Sequence, residues 1–176
     1  SWPYSTALTL TAMANLLKAA VSGRRHGATG YLVTDWGDYG HRQYQPASFP
    51  GFLYGAAVSW CVEANAGIDV PQELSRHVFD DATGAAGRLW YEAGAVHELS
   101  GVALKNRTIL FAIMQTPLSD WASVAKLITE QGRSVGPQEI ARRFARMEQR
   151  IDELLAEAAH APFGSLDGKL AREEPP

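Results

Sequence analysis

Residues 30–41 have the sequence Gly-Tyr-Leu-Val-Thr-Asp-Trp-Gly-Asp-Tyr-Gly-His, and the fold prediction rests on them. Its first part, residues 31–34, is a short apolar and β-branched run typical of a strand buried on both faces. Its second part places two carboxylates, two aromatic rings and an imidazole directly after that strand. In parallel α/β folds, ligands bind at the carboxyl ends of the strands. The sequence therefore predicts a binding site at residues 35–41.

Helices are predicted on both sides of this strand. The first covers residues 5–21 and is expected to stop at Ser22-Gly23. The second covers residues 49–63, with Ser48 as its cap and a proline tolerated in its first turn. Its small residues, Gly51 and Gly55 among them, permit close packing against a sheet. The order helix, strand, helix is typical of an α/β unit.

Beyond a glycine-containing hinge at residues 64–68 the β signal disappears, so we divide the chain into residues 1–64 and 65–176. Helices are predicted over residues 69–79, 84–99, 105–115, 119–132 and 137–159. The last of them has one apolar seam, formed by Ile140, Phe144, Met147, Ile151, Leu154 and Ala158. The expected fold class is an α/β remnant followed by a mainly helical region, mostly α by content.

Composition excludes several function classes. The formal net charge of −3 gives no electrostatic footprint for nucleic acid. No run approaches the roughly 20 apolar residues that a membrane span needs. Cys61 is the only cysteine, which rules out an internal disulfide and favours a reducing, cytoplasmic compartment. Neither a phosphate loop nor a nucleophile elbow is present, and we expect no cofactor.

The candidate binding residues are Asp35, Trp36, Asp38 and His41. In a carbohydrate subsite, the indole face would pack on a sugar ring while a carboxylate accepts hydrogen bonds from its hydroxyls. The second interpretation is purely structural: a loop whose aspartates cap turns or the next helix. The third interpretation is a metal site. We rank the sugar subsite first and the metal last. Trp2 either lines the same pocket or is an apolar residue at the end of the chain.

Other chemically active side chains have structural interpretations. Cys61 lies within an apolar helix and is predicted to belong to the core. The arginines of residues 142–150 alternate with acids, which predicts a solvated, salt-bridged face. The histidines outside the candidate site are predicted on loops or helix surfaces, without ligand spacing: His26, His77, His97 and His160.

Residues 27–41 (GATGYLVTDWGDYGH) and 46–57 (PASFPGFLYGAA) resemble the end of the catalytic barrel of glycoside hydrolase family 20, the β-N-acetylhexosaminidases. The resemblance implies a (β/α)₈ TIM barrel whose last helix–strand–helix portion lies in residues 1–64. It implies that Trp36 forms a wall of the subsite for a terminal N-acetylhexosamine of a glycan. Asp38 would bind outer hydroxyls where many members have Glu, and Trp2 would match an aromatic residue on the preceding strand.

The resemblance also implies substrate-assisted catalysis, in which the acetamido oxygen of the substrate attacks the anomeric carbon. An Asp-Glu pair on the fourth strand orients that group and supplies the general acid. The Asp-Glu dipeptide of this chain, Asp152-Glu153, falls in the middle of a predicted helix, and a barrel needs about 250 residues. We therefore expect a carboxyl-terminal fragment of the enzyme that is inactive by itself.

The rival hypothesis is a free-standing, mostly helical interaction protein whose last helix pairs with a partner or with its own copy. On the fragment hypothesis, a lone parallel strand exposes unpaired edges on both sides. We accordingly expect the chain by itself to be unstable, to form a homo-oligomer or to rearrange around its helices.

Overall fold

The computed structural model describes residues 9–36, 44–104, 108–131 and 137–160, and these residues are mainly α-helical. The α-helices are α1 (Thr9–Arg25), α2 (Phe49–Trp60), α3 (Val62–Asn65), α4 (Val70–Leu74), α5 (Ala85–Ala93), α6 (Ile109–Gln115), α7 (Trp121–Gln131) and α8 (Pro137–Ala158). A π-helical turn, Ser75–Phe79, continues α4, and 3₁₀ turns cover Gln45–Ser48, Val96–Ser100 and Leu118–Asp120. The predicted, mostly helical content is confirmed. Across these ranges no helix is long and apolar enough to cross a bilayer.

The predicted strand at residues 31–34 is not part of a sheet within the described residues. Residues 28–36, here called the 28–36 segment, follow α1 without regular secondary structure. A strand is defined by hydrogen bonds to a neighbouring strand, and the described part of the chain offers no neighbour. The side chain of Leu32 is 85% exposed, so the prediction of burial on both faces is wrong.

Side chains hold the 28–36 segment against α1 and α2. The hydroxyl of Tyr31 donates a hydrogen bond of 2.8 Å to the carbonyl oxygen of Leu16 on α1. Val33 packs on Gly55 of α2 so closely that a Cβ at position 55 would lie 2.7 Å from Val33 Cγ2. The close approach predicted for the small residues of α2 is therefore present at Gly55, but its partner is the 28–36 segment and not a sheet.

The turn after α1 differs from the predicted one. The helix continues through residues 22–23 to Arg25, because a glycine within a helix costs only about 1 kcal/mol. It ends where Gly27 adopts a φ of +74°, and the Ala28 N–H donates to the Gly23 carbonyl oxygen at 2.9 Å. This is the Schellman arrangement, which reverses the chain and directs the 28–36 segment back along α1.

A first apolar core joins α1 and α2 to α4 and α5. Its buried members are Ala20, Tyr54, Val58, Val70, Leu74, Phe79 and Ala86. Tyr54 also donates a hydrogen bond of 2.9 Å to the carbonyl oxygen of Ala66, inside the predicted hinge. The core is thus continuous past residues 64–68, and the division into two domains stays a prediction.

A second core contains the predicted seam of α8. Ile140 and Phe144 pack on the buried residues Val102, Ile109, Ala112, Val124 and Ile128. Farther along the helix, Met147, Leu154 and Ala158 are buried. The bounds of α8 match the prediction within one residue, and the seam faces the inside of the chain.

Helices α4 and α5 cross at Gly87. Asp69 caps α4 as predicted, since its carboxylate accepts from the N–H of Gln72 at 3.1 Å. The N–H of Gly87 donates to Ser75 Oγ at 2.9 Å, and a Cβ at position 87 would lie 2.0 Å from the carbonyl oxygen of Pro71. Only glycine fits this crossing.

We predict that Gly87→Ala lowers the free energy of unfolding by about 2–3 kcal/mol, because the new methyl group overlaps backbone atoms that cannot move alone. Urea unfolding measures this. The matched control is Gly67→Ala, where a Cβ meets nothing within 4 Å, and we expect a change within about 0.5 kcal/mol. Equal effects of the two variants would contradict the close contact between α4 and α5 at Gly87.

Candidate functional site

Two of the predicted site residues lie together where the 28–36 segment meets the start of α2. The hydroxyl of Ser48 donates a short hydrogen bond to Asp35 Oδ2. The indole Nε1 of Trp36 donates to Thr34 Oγ1 at 3.0 Å, and the residue remains 55% exposed. An exposed indole and a carboxylate thus occupy consecutive positions at the end of the 28–36 segment, each with its own side-chain partner.

Ser48 has a different role from the predicted one. It occupies the N-cap position of α2, but its side chain makes no capping bond to an N–H of that helix. Its hydroxyl bonds Asp35 instead, and it is itself 1% exposed. The negative charge of Asp35 is therefore held near the N-terminus of α2, where the helix dipole favours an anion. Sequence reasoning identified both residues and missed the contact between them.

The other predicted site residues, Asp38, His41 and Trp2, lie outside the described residues. The alternative metal site needs two of them, so its geometry lies outside the described residues as well. Within the described ranges, no group of three or more histidine, cysteine, aspartate or glutamate side chains is arranged to hold a metal ion.

The Asp35–Trp36 arrangement suits binding better than bond cleavage. An exposed indole offers a flat apolar face, and an ionised carboxylate accepts hydrogen bonds from hydroxyl groups. The Asp-Glu dipeptide is far along the chain in α8, where Asp152 and Glu153 are exposed. Glu153 forms an ion pair of 3.0 Å with Arg150, and its pKa is lowered first by hydrogen bonding to that arginine.

A cleft that sequence reasoning missed lies between the C-terminal ends of α1 and α2. Its volume is about 500 Å³, and its lining includes Tyr31, Trp60 and Cys61. Burial, and secondarily the charge of Tyr54, raises the pKa of Tyr31. Cys61 is half-buried and lines this cleft, so it is less enclosed than its predicted core position.

A polar cleft of about 710 Å³ lies beside the α4–α5 crossing, and Asp81 in its lining is 3% exposed. The Asp81 carboxylate accepts from the N–H of Ala86 at 2.8 Å and from the N–H of Thr83 at 2.8 Å. Burial alone would raise the pKa of Asp81, but these hydrogen bonds outweigh it and the pKa is lowered. Asp81 thus stabilises the start of α5, which is a structural role.

The prediction of a surface position for His97 is wrong. His97 is buried in the 3₁₀ turn Val96–Ser100, with Nδ1 3.1 Å from the carbonyl oxygen of Gly94. Burial lowers its pKa, against a smaller opposing effect of the neighbouring Glu98. A single polar residue in a short turn has no periodic pattern, so the burial of His97 could not be predicted from local sequence.

The salt-bridged face predicted for residues 142–150 is present. Arg142 and Arg143 pair with Glu139 at 3.7 and 3.2 Å. Arg150 binds Glu92 of α5, with its Nε 3.0 Å from the carboxylate. These arginines serve contacts within the chain.

Comparisons with known proteins found no matching protein-family model, no matching curated protein and no matching solved structure. Any functional assignment therefore depends on the residues and contacts described above.

We predict that Ser48→Ala lowers the free energy of unfolding by about 1 kcal/mol, because Asp35 loses a buried hydroxyl donor. Urea unfolding measures the loss. Ser59 is exposed on the same helix and donates to the carbonyl oxygen of Ala56, so Ser59→Ala is the control, with an expected change within about 0.5 kcal/mol. A loss no greater than that of the control would contradict the role of Ser48.

We predict that stability falls as the pH drops below about 6.5, the ordinary pKa of histidine. Because the folded-state pKa of His97 is lowered, the unfolded chain binds a proton in this range that the folded chain does not. The free energy of unfolding should decrease by up to about 1 kcal/mol per pH unit there, and His97→Gln should remove this part of the slope. Urea titrations between pH 7.5 and 5 test this, with His77→Gln at an exposed position as control. An unchanged slope in His97→Gln would contradict it.

Proposed function

We propose that this chain is the carboxyl-terminal part of a glycoside hydrolase resembling the family 20 β-N-acetylhexosaminidases, and that it supplies part of the subsite for a terminal N-acetylhexosamine. The observation that carries the proposal is the exposed indole of Trp36 directly after the Asp35 carboxylate, which Ser48 holds. A sugar ring presents an apolar C–H face and hydroxyl edges, which these two groups complement.

The arrangement around the site supports the barrel part of the proposal. Helix α1, the 28–36 segment and α2 follow one another as the last helix, strand and helix of a (β/α)₈ barrel would. One side of the segment contacts the two helices through Tyr31 and Val33, while Leu32 on the other side is exposed. A barrel strand deprived of its neighbours would have this pattern, helices outside and an open face inside.

In the proposed subsite, Trp36 forms a wall against the ring and Asp35 accepts hydrogen bonds from ring hydroxyls. Asp38, His41 and Trp2 complete the proposed contacts. The substrate's acetamido oxygen would attack the anomeric carbon, so this part of the enzyme needs no nucleophile. The general acid would belong to the part of the barrel outside this chain, and we expect no hydrolysis by the chain itself.

The rival proposal of an interaction protein assembled through α8 has less support. Met147 and Leu154 in the seam of that helix are 2% and 1% exposed, which leaves no free apolar face at these positions for a partner. Residues 65–176 are proposed instead as a helical region packed onto the barrel portion, residues 1–64.

We predict that the chain binds N-acetylglucosamine with a dissociation constant in about the millimolar range, and that Trp36→Ala raises this constant at least about tenfold. Isothermal titration calorimetry measures both values. Because Trp36 is 55% exposed, its removal leaves the cores intact, and the loss reports on binding rather than folding.

The control variant is Trp60→Ala. It removes an indole at the C-terminal end of α2, away from the proposed subsite, where the residue is 90% exposed. We expect it to bind the sugar as the wild type does, and glucose to bind more weakly than N-acetylglucosamine. No heat of binding in the wild type, or equal losses in the two tryptophan variants, would contradict the proposed subsite.

A further inference from the structure

The start of α2, which carries Ser48, is enclosed by the helical region of the chain. Residues 46–48 of the 3₁₀ turn are buried, and so are residues 50–51 in the first turn of α2. Helix α5 contacts both the 3₁₀ turn and α2, and α4 contacts α2 as well. The turn that holds Asp35 is therefore supported by residues from beyond position 65.

One aromatic contact joins the two parts of the chain at this point. Phe49 directly follows Ser48, and Phe79 ends the π-helical turn after α4. The centroids of the Phe49 and Phe79 rings are 6.0 Å apart, and their planes are inclined by 42°. Tilted aromatic pairs at this distance attract each other beyond simple burial. Because Phe79 is 0% exposed within the first core, that core fixes the position of its ring.

The bond from Ser48 to Asp35 depends on where the first turn of α2 lies. The hydroxyl of Ser48 makes no capping bond to the helix, and it donates to Asp35 on the 28–36 segment instead. A hydrogen bond weakens steeply when its donor moves or turns away from the acceptor. Loss of the Phe79 ring would leave space beside Phe49, and the surrounding chain relaxes partly into such space. Ser48 would then shift relative to Asp35.

We propose that Phe79 is a positioning residue of the sugar subsite. Through Phe49 it fixes the start of α2, so that Ser48 holds the Asp35 carboxylate where it accepts hydrogen bonds from the sugar. This inference rests on the proposed function, because it gives the helical region a role in that same subsite. Residues 65–176 are then needed for sugar binding although none of them contacts the sugar.

The first test is an NMR titration of the whole chain with N-acetylglucosamine, followed at the Trp36 indole N–H. Phe79→Leu should raise the dissociation constant at least about threefold, because Asp35 is no longer held in place. Unfolded molecules give separate signals, so a loss of stability alone does not change this readout. The matched control is Phe111→Leu, with no expected change in affinity. Phe111 is 4% exposed in α6, which packs on α7 and on the 3₁₀ turn Val96–Ser100.

A double-mutant cycle tests the link between Phe79 and Ser48 without the sugar. If Phe79 acts through Ser48, then Ser48→Ala should shift the urea midpoint less in the Phe79→Leu background than in the wild type. In the Phe111→Leu background, Ser48→Ala should shift the midpoint as much as in the wild type. Phe49→Leu removes the same ring contact from a half-buried position. It should give the results expected of Phe79→Leu, and it replaces that variant in both tests if Phe79→Leu does not fold.

The outcomes separate this inference from the proposed function. Equal losses of affinity in Phe79→Leu and Phe111→Leu would overturn the role of Phe79 and leave the proposed subsite in place. An undiminished effect of Ser48→Ala in the Phe79→Leu background would do the same. A wild type that does not bind N-acetylglucosamine would overturn the proposed function, and the role of Phe79 in binding with it.

Discussion

The contact between Val33 and the Gly55 position of α2 fixes the candidate site. Because a Cβ at position 55 would come within 2.7 Å of Val33 Cγ2, only glycine lets the 28–36 segment approach the helix so closely. Ser48 begins the same helix two turns earlier and holds Asp35, two residues after Val33. One helix thus receives the middle of the segment and the carboxylate at its end.

Side-chain contacts, more than backbone hydrogen bonds, position the candidate site. Side chains anchor one face of the 28–36 segment, Leu32 on its other face is exposed, and residues 29–35 form no backbone–backbone hydrogen bond with the described residues. The sequence predicts Asp35 and Trp36 as candidate site residues because polar and aromatic residues follow a β-branched run. It did not identify the bond from Ser48, because a contact between residues 13 positions apart in a loop has no local pattern.

The fold was easier to predict where the interacting residues are close together in the sequence than where they are far apart. The predicted bounds of α8 agree with the observed bounds to within one residue, because the apolar seam of this helix repeats over many turns. The end of α1 was misplaced because Gly23 looked like a stop, while the left-handed conformation that ends the helix belongs to Gly27. The strand at residues 31–34 was predicted from local preference, but a sheet needs partners that local sequence does not supply. No sequence pattern indicates the burial of His97.

We propose that the carboxyl end of the 28–36 segment binds an N-acetylhexosamine, and a ¹H–¹⁵N NMR titration of the whole chain with N-acetylglucosamine tests this proposal. We expect saturable shifts of the Trp36 indole N–H and of the backbone amides of Asp35 and Ser48, with no saturable change at the Trp60 indole. Shifts confined to the polar cleft around Asp81, or no saturable shift anywhere, would contradict it.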